Sequence, residues 1–160
     1  GVTHAFVGKV LNDRGGGDSE MLFRGIQWAL SNNAGVISMS LGFDFPGFVD
    51  HLVNQRGYPV NLATSIALRE YLATARAFDA LMQFAKAQIP FDGGTVVVAA
   101  AGNESQPNLP IGASLPAVAE DVVAVGAVAK QGTQLISAPF SNVYPQVVAP
   151  GVNVVSARSG

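Results

Sequence analysis

Gly94-Thr-Val-Val-Val-Ala-Ala-Ala-Gly-Asn-Glu104 decides the fold of this chain. A run of apolar β-formers and small residues leads straight into Gly102-Asn103. That is the pattern of a buried parallel strand ending in a tight turn, with one amide side chain at its tip. Open parallel α/β sheets bind ligands outside the carboxyl ends of their strands. An asparagine placed there has two roles open to it. Its NH2 group can donate to a developing negative charge, as an oxyanion-hole donor does. Its side chain can equally cap the next helix or hold the turn. The stretch alone leaves both roles standing.

Working outward, Val36-Ile-Ser-Met-Ser-Leu-Gly42 reads as a second buried strand, Val36–Leu41, that also stops at glycine. Before it, Asp18 or Ser19 can cap a helix over Ser19–Asn32, with Leu22, Ile26, Ala29 and Leu30 at helical spacing. Ala5–Leu11 has the alternation of a strand. Strand, helix and strand in that order make a βαβ unit and predict a parallel sheet with a right-handed crossover. After Gly42, residues 43–62 carry aromatic, Pro and Gly residues without sustained periodicity. A long helix comes next over Thr64–Ala87, with Leu68, Leu72, Ala75, Phe78, Met82 and Ala85 as its apolar stripe. Pro90 and Gly93-Gly94 are expected to break it. Val122–Val128, Gln146–Val148 and Val152–Ala157 read as further short strands. The fold class expected is α/β, three-layer αβα around a mostly parallel sheet.

Composition narrows the function. The chain has 160 residues, 49% hydrophobic and 12% charged, with 18 glycines and 9 prolines. That suits one compact domain with buried strands and many turns, and excludes a disordered or coiled-coil chain. The formal net charge is -2 and no Lys/Arg cluster is present, so neither a nucleic-acid surface nor an anionic-membrane surface is expected. Without cysteine there is no disulfide, zinc-thiolate site or thiol nucleophile. No apolar run reaches transmembrane length. Gly15-Gly-Gly17 lacks the Lys-Ser/Thr that would make a phosphate loop. The first residues lack the charged start of a signal peptide, and both ends read as cut from a longer chain.

Four phrases in a fixed order carry a family resemblance. They are Val36-Ile-Ser-Met-Ser-Leu-Gly42, Val96-Val-Val-Ala-Ala-Ala-Gly-Asn103, Val122-Val-Ala-Val-Gly-Ala-Val128, and Phe140-Ser-Asn followed by Ala149-Pro-Gly151. In wording and order they resemble the subtilisin-like serine proteases, the subtilases of peptidase family S8. The resemblance runs over residues 1–160 except between Phe43 and about Pro90. It implies the central part of one subtilase-like catalytic domain, with an insertion at about 43–62 that forms an ordered lobe at the cleft rim.

That resemblance assigns roles. Asn103 resembles the family's oxyanion-hole asparagine, a catalytic residue. Ser40, Leu41 and Gly42 resemble the segment that pairs with an extended substrate backbone, a strand-addition mode in which main-chain hydrogen bonds supply affinity. Ala100, Ala101 and Gly102 resemble the opposite wall of a pocket for the residue before the scissile bond, with room for a large apolar side chain. The implied substrate is a polypeptide. His4 stands in a Gly-Val-x-x-Ala phrase that follows the family's catalytic His segment, and His51 lies away from every motif, so neither reads as the base. No Asp-Ser/Thr-Gly, His-Gly-Thr-His or Gly-Thr-Ser-Met-Ala phrase occurs, so the triad is expected outside these residues and the chain alone is expected to be inactive. No cofactor is required. The family also binds calcium through loop carbonyls, and Ala113–Val118 resembles a loop of that kind. Relatives are mostly secreted, and secretion is the compartment the resemblance favours. Exposed strand faces are expected to make the fragment self-associate. The competing readings are a non-catalytic subtilase-like binding or structural domain, and an unrelated doubly wound ligand-binding domain.

Overall fold

A computed structural model describes residues 2–156 and, within 88–92, the backbone alone. Three helices and five strands run in chain order: α1 (Ser19–Ser31), β1 (Val36–Met39), α2 (Phe45–Asn54), α3 (Val60–Asp92), β2 (Val96–Ala100), β3 (Val122–Gln131), β4 (Gln134–Ser137) and β5 (Val147–Pro150). They form one sheet in the order β1-β2-β3-β4, with β5 also on β3. The β1–β2, β2–β3 and β3–β5 pairs are parallel, with Val36 opposite Val96 and Val97 opposite Val122. Among the described strands only the β3–β4 pair is antiparallel. The α/β class with a mostly parallel sheet is therefore as the sequence predicts.

One face of the sheet is covered. Ile37 and Met39, Val97 and Ala99, and Val122 and Ala124 point into a single core with Leu22, Ile26 and Ala29 of α1 and Phe78 and Met82 of α3. The Phe23 and Phe78 rings meet at 4.8 Å, tilted by 59°, between the two helices. The alternate residues face the other way, and Val36 and Val96 are 62% and 54% exposed. Among the described residues, then, both sheet-packing helices lie on one side and the second helical layer is not supplied.

Several local expectations need correction. Residues 5–11 form no strand. Their alternation turns Phe6 and Gly8 toward the Trp28 ring, with Phe6 edge-on at 6.1 Å, and sets Val10 over Gly25. The segment is thus held by α1 side chains and not by a strand's hydrogen bonds. The α3 helix starts at Val60, not Thr64, and runs past Pro90 to Asp92. It ends where Gly93 and Gly94 both take φ of +82°, a conformation that L-residues avoid. Its stripe holds from Ala75 through Phe78, Met82 and Ala85 but is displaced before that. Leu68 and Leu72 are exposed, and Ala63 and Ala67 are buried instead, because α2 and not the sheet packs there through Leu52. The α2 helix arises within 43–62, where the sequence shows no sustained periodicity. Asp44 caps it, accepting from the Gly47 amide at 2.9 Å, and Pro46 sits in its first turn. The β3–β4 hairpin adds a strand that the sequence pattern does not predict. Gly132, at φ +61°, turns it. The last expected strand does not form over 152–156, and Ala157 lies outside the described residues.

Tyr71 ties α3 to both neighbours. Its ring meets Phe45 of α2 edge-on at 5.7 Å. Burial pushes its phenol above the ordinary value of 10.0, while a hydrogen bond with the Leu115 backbone works the other way. The folded chain then keeps its proton where the unfolded chain loses it, so stability present below pH 10 falls as pH rises through the raised value. Urea unfolding at pH 9 and pH 11 should show this fall, and Tyr71→Phe should make the two midpoints converge. An unchanged gap would remove Tyr71 as its source.

Candidate active site

The carboxyl ends of β1 and β2 sit side by side because Met39 pairs with Ala99 in a parallel register. The path of the chain beyond each strand is fixed locally. After β1, Ser40-Leu41-Gly42 leads into Phe43, whose amide donates to the Leu115 carbonyl at 2.9 Å. A Cβ on Gly42 would stand 3.2 Å from the Ser114 hydroxyl, so glycine lets this segment lie close on the 113–116 turn without displacing that side chain. After β2, the chain reverses at Gly102, with φ of +113°. A side chain at Gly102 would collide with the Asn142 amide and the Glu104 carboxylate.

Asn142 organises that reversal. It is buried, and its Oδ1 accepts from the Glu104 and Ser105 amides at 3.1 and 3.0 Å, with the Ser105 hydroxyl 3.1 Å away. Its Nδ2 donates to Glu104 Oε2 at 2.6 Å and to the Ala101 carbonyl at 3.3 Å. Glu104 Oε2 in turn accepts from the Asn103 amide at 3.0 Å. The backbone at Asn103 is therefore clamped while its side chain is left over. Asn103 is exposed, and among the described residues its amide side chain has no hydrogen-bond partner. It caps no turn and no helix, although the sequence allowed that role.

The two strand ends frame a cleft of about 470 Å³. Ser40, Leu41, Gly42, Ala100, Gly102 and Asn103 all line it, together with Phe140 and Gly151 from the C-terminal segments. Ala101 does not. It is fully buried, its amide donates to the Val125 carbonyl at 2.9 Å, and its carbonyl receives the Ser114 amide at 3.1 Å. The structure thus gathers every candidate except Ala101, whose pleat turns it to the core. His4 and His51 are exposed and neither lines the cleft. Sequence reasoning singles out the Ser141-Asn142 turn as a motif but misses Asn142 as the organiser of the site. The signal is its place in that motif.

The Ser114, Leu115 and Pro116 carbonyls each already accept a backbone amide. Among the described residues no group of three or more His, Cys, Asp or Glu side chains could hold a metal ion. No step is derived through a metal.

An unbonded amide and a glycine-lined segment at adjacent strand ends of an open parallel sheet stand at the edge where α/β domains bind their ligands. The subtilase family model matches residues 4–160, and the chain belongs to that family. It is 32% identical to Subtilisin NAT of Bacillus subtilis subsp. natto, over 95% of this chain and 31% of that protein. It is 33% identical to Subtilisin DY of Bacillus licheniformis, over 92% of this chain and 42% of that protein. The chain spans less than half the length of either relative. Among solved structures, a psychrophilic protease superposes with a TM-score of 0.50 at 21% identity, covering 88% of this chain and 41% of that one, a likeness of fold. No helix among the described residues is long and apolar enough to cross a membrane.

Asn142→Ala should strip acceptors from two backbone amides and cost about 2–4 kcal/mol in urea unfolding, since each orphaned buried donor costs about 1–3 kcal/mol. Asn142→Asp keeps the acceptor but sets a carboxylate against Glu104, and should also destabilise at neutral pH. A loss below about 0.5 kcal/mol in both would show that the turn holds without this side chain.

Proposed function

We propose that this chain is the central part of the catalytic domain of a subtilisin-like serine endopeptidase, with Asn103 as its oxyanion-hole donor. The observation that carries this is the unbonded, exposed side chain of Asn103 on a clamped backbone, facing a cleft that Ser40–Gly42 also lines. The clamped backbone limits how far this donor must move when negative charge develops on the attacked carbonyl oxygen. In the whole protein a serine attacks the peptide carbonyl, a histidine takes its proton and returns it to the leaving amine, and an aspartate orients the histidine. The substrate is an extended polypeptide that pairs with Ser40–Gly42 by main-chain hydrogen bonds. Gly42 and Gly102 keep that approach open. Residues 43–62 are an insertion at the cleft rim, and no cofactor takes part. The protein is secreted, the compartment that the family resemblance favours.

The triad lies outside these 160 residues, so the chain alone has an oxyanion donor and no activated nucleophile. Purified by itself, it should not react with a fluorophosphonate probe, and it should associate through the open Val-rich sheet face in light scattering. Stoichiometric labelling of one serine would overturn the assignment of the triad elsewhere, and a strict monomer at high concentration would overturn the association.

In the intact enzyme, Asn103→Ala should lower kcat about a hundredfold or more with little change in KM, the size of effect such a donor has in subtilisin itself. A near-normal kcat would leave Asn103 with no part in catalysis.

A further inference from the structure

Glu104 follows Asn103 in the chain and lines the cleft beside it. A carboxylate there works against the proposed chemistry, because its charge raises the energy of a nearby oxyanion. It forms no ion pair among the described residues that would offset that charge. Its hydrogen bonds give it a different task. One oxygen, Oε2, accepts from the Asn103 amide at 3.0 Å and from Asn142 Nδ2 at 2.6 Å. The other, Oε1, has no hydrogen-bond partner among the described residues.

Glu104 is held at both ends by one side chain. Asn142 Oδ1 accepts from the Glu104 amide at 3.1 Å, while Asn142 Nδ2 donates to the carboxylate. Asn142 is buried and also donates to the Ala101 carbonyl just past β2. The carboxylate is therefore fixed relative to the sheet and not only to its own turn. Two consequences reach Asn103. Gly102 stands at φ of +113° and has no Cβ to restrict its backbone, so the setting of the following peptide must come from outside. A charge-assisted bond from the Asn103 N–H to Glu104 supplies it. That same bond occupies the backbone N–H, which leaves the side-chain amide as the group of Asn103 free to donate into the cleft.

We propose that Glu104 is a positioning residue for the reaction: by holding the Asn103 N–H, it sets the direction from which the Asn103 side chain meets the oxyanion. The proposal rests on the protease reading above and adds a residue to it. What the role requires is the acceptor at Oε2 and not the charge. Glutamine keeps an oxygen at that place and puts its NH2 where Oε1 is unbonded. Alanine removes the acceptor, and methionine fills much of the same space without an oxygen.

The test uses the intact protein that carries this chain, on a peptide substrate without charged residues, with thermal unfolding read alongside. Glu104→Ala should lower kcat about tenfold with KM nearly unchanged, a smaller loss than the roughly hundredfold cost of misplacing a catalytic group by about 1 Å. Glu104→Gln should keep the wild-type kcat. With Asn103→Ala already in place, Glu104→Ala should cost nothing further, because a residue that acts through another has no effect once that one is gone. Where Glu104→Ala loses stability, Glu104→Met repeats the comparison and should show the same fall in kcat. An equal fall in both backgrounds overturns the proposal, as does an unchanged kcat in Glu104→Ala or a Glu104→Gln as slow as Glu104→Ala. Each of these leaves the protease reading intact. A near-normal kcat in Asn103→Ala alone overturns the oxyanion assignment and this proposal with it. Failure of the wild-type protein to cleave any peptide overturns the protease reading itself.

Discussion

The site depends on one buried amide. Asn142 satisfies two backbone donors after β2, reaches back to the last core carbonyl of the strand, and holds Glu104 against Asn103. With that network in place Gly102 can keep a left-handed conformation and Asn103 can stand free. The constraint is reciprocal, because the space Asn142 fills is the space a side chain at Gly102 would need. A buried network of this kind is worth having only when every member is paired, and among the described residues no buried side-chain polar atom lacks a partner. Chain reversal, strand end and free amide are thus one physical unit assembled from residues 38 positions apart.

The second determinant is the parallel register. Aligning Met39 with Ala99 and Val97 with Val122 brings three strand ends to a common edge. The pleat then sorts the residues there. The side chains of Ala99 and Ala101 are buried, and Ala100 is left half-buried at the cleft. Small residues at these positions let the cleft approach the backbone closely. On the opposite face the same alternation leaves valines open to solvent, which is why the open side and the active edge belong to one sheet.

Much of this is written in local sequence. The runs Val96–Ala101 and Val36–Leu41 can be read as buried strands because continuous β-branched and small residues bounded by glycine have few other outcomes. Asp18 is legible as a cap, and its side chain accepts from Met21 as expected. The features that escape such a reading depend on distant partners. Residues 5–11 alternate as a strand does, yet their contacts are with Trp28 and Gly25, and no periodicity reports a missing hydrogen-bonding neighbour. The α3 stripe is legible where it meets the sheet and shifts where it meets α2, because a helix with two neighbours has two apolar faces. Ala101 reads as cleft wall from its place in the motif, but its orientation depends on a pleat parity that only the register with β3 fixes. Asn142 is visible as part of a turn, while its role rests on donors across the fold.

The connection from β1 to β2 has a consequence for how such a fold tolerates change. Val36 pairs with Val96 across a connection that holds all of α2 and α3. Closure entropy rises only slowly with loop length, about 0.6 kcal/mol per doubling. Leu52, Ala63 and Ala67 also form a small core of their own there, separate from the main one. Extra length in this crossover therefore carries its own stability and asks little of the sheet. The segment can be rebuilt while the strands that align Asn103 with Gly42 stay as they are.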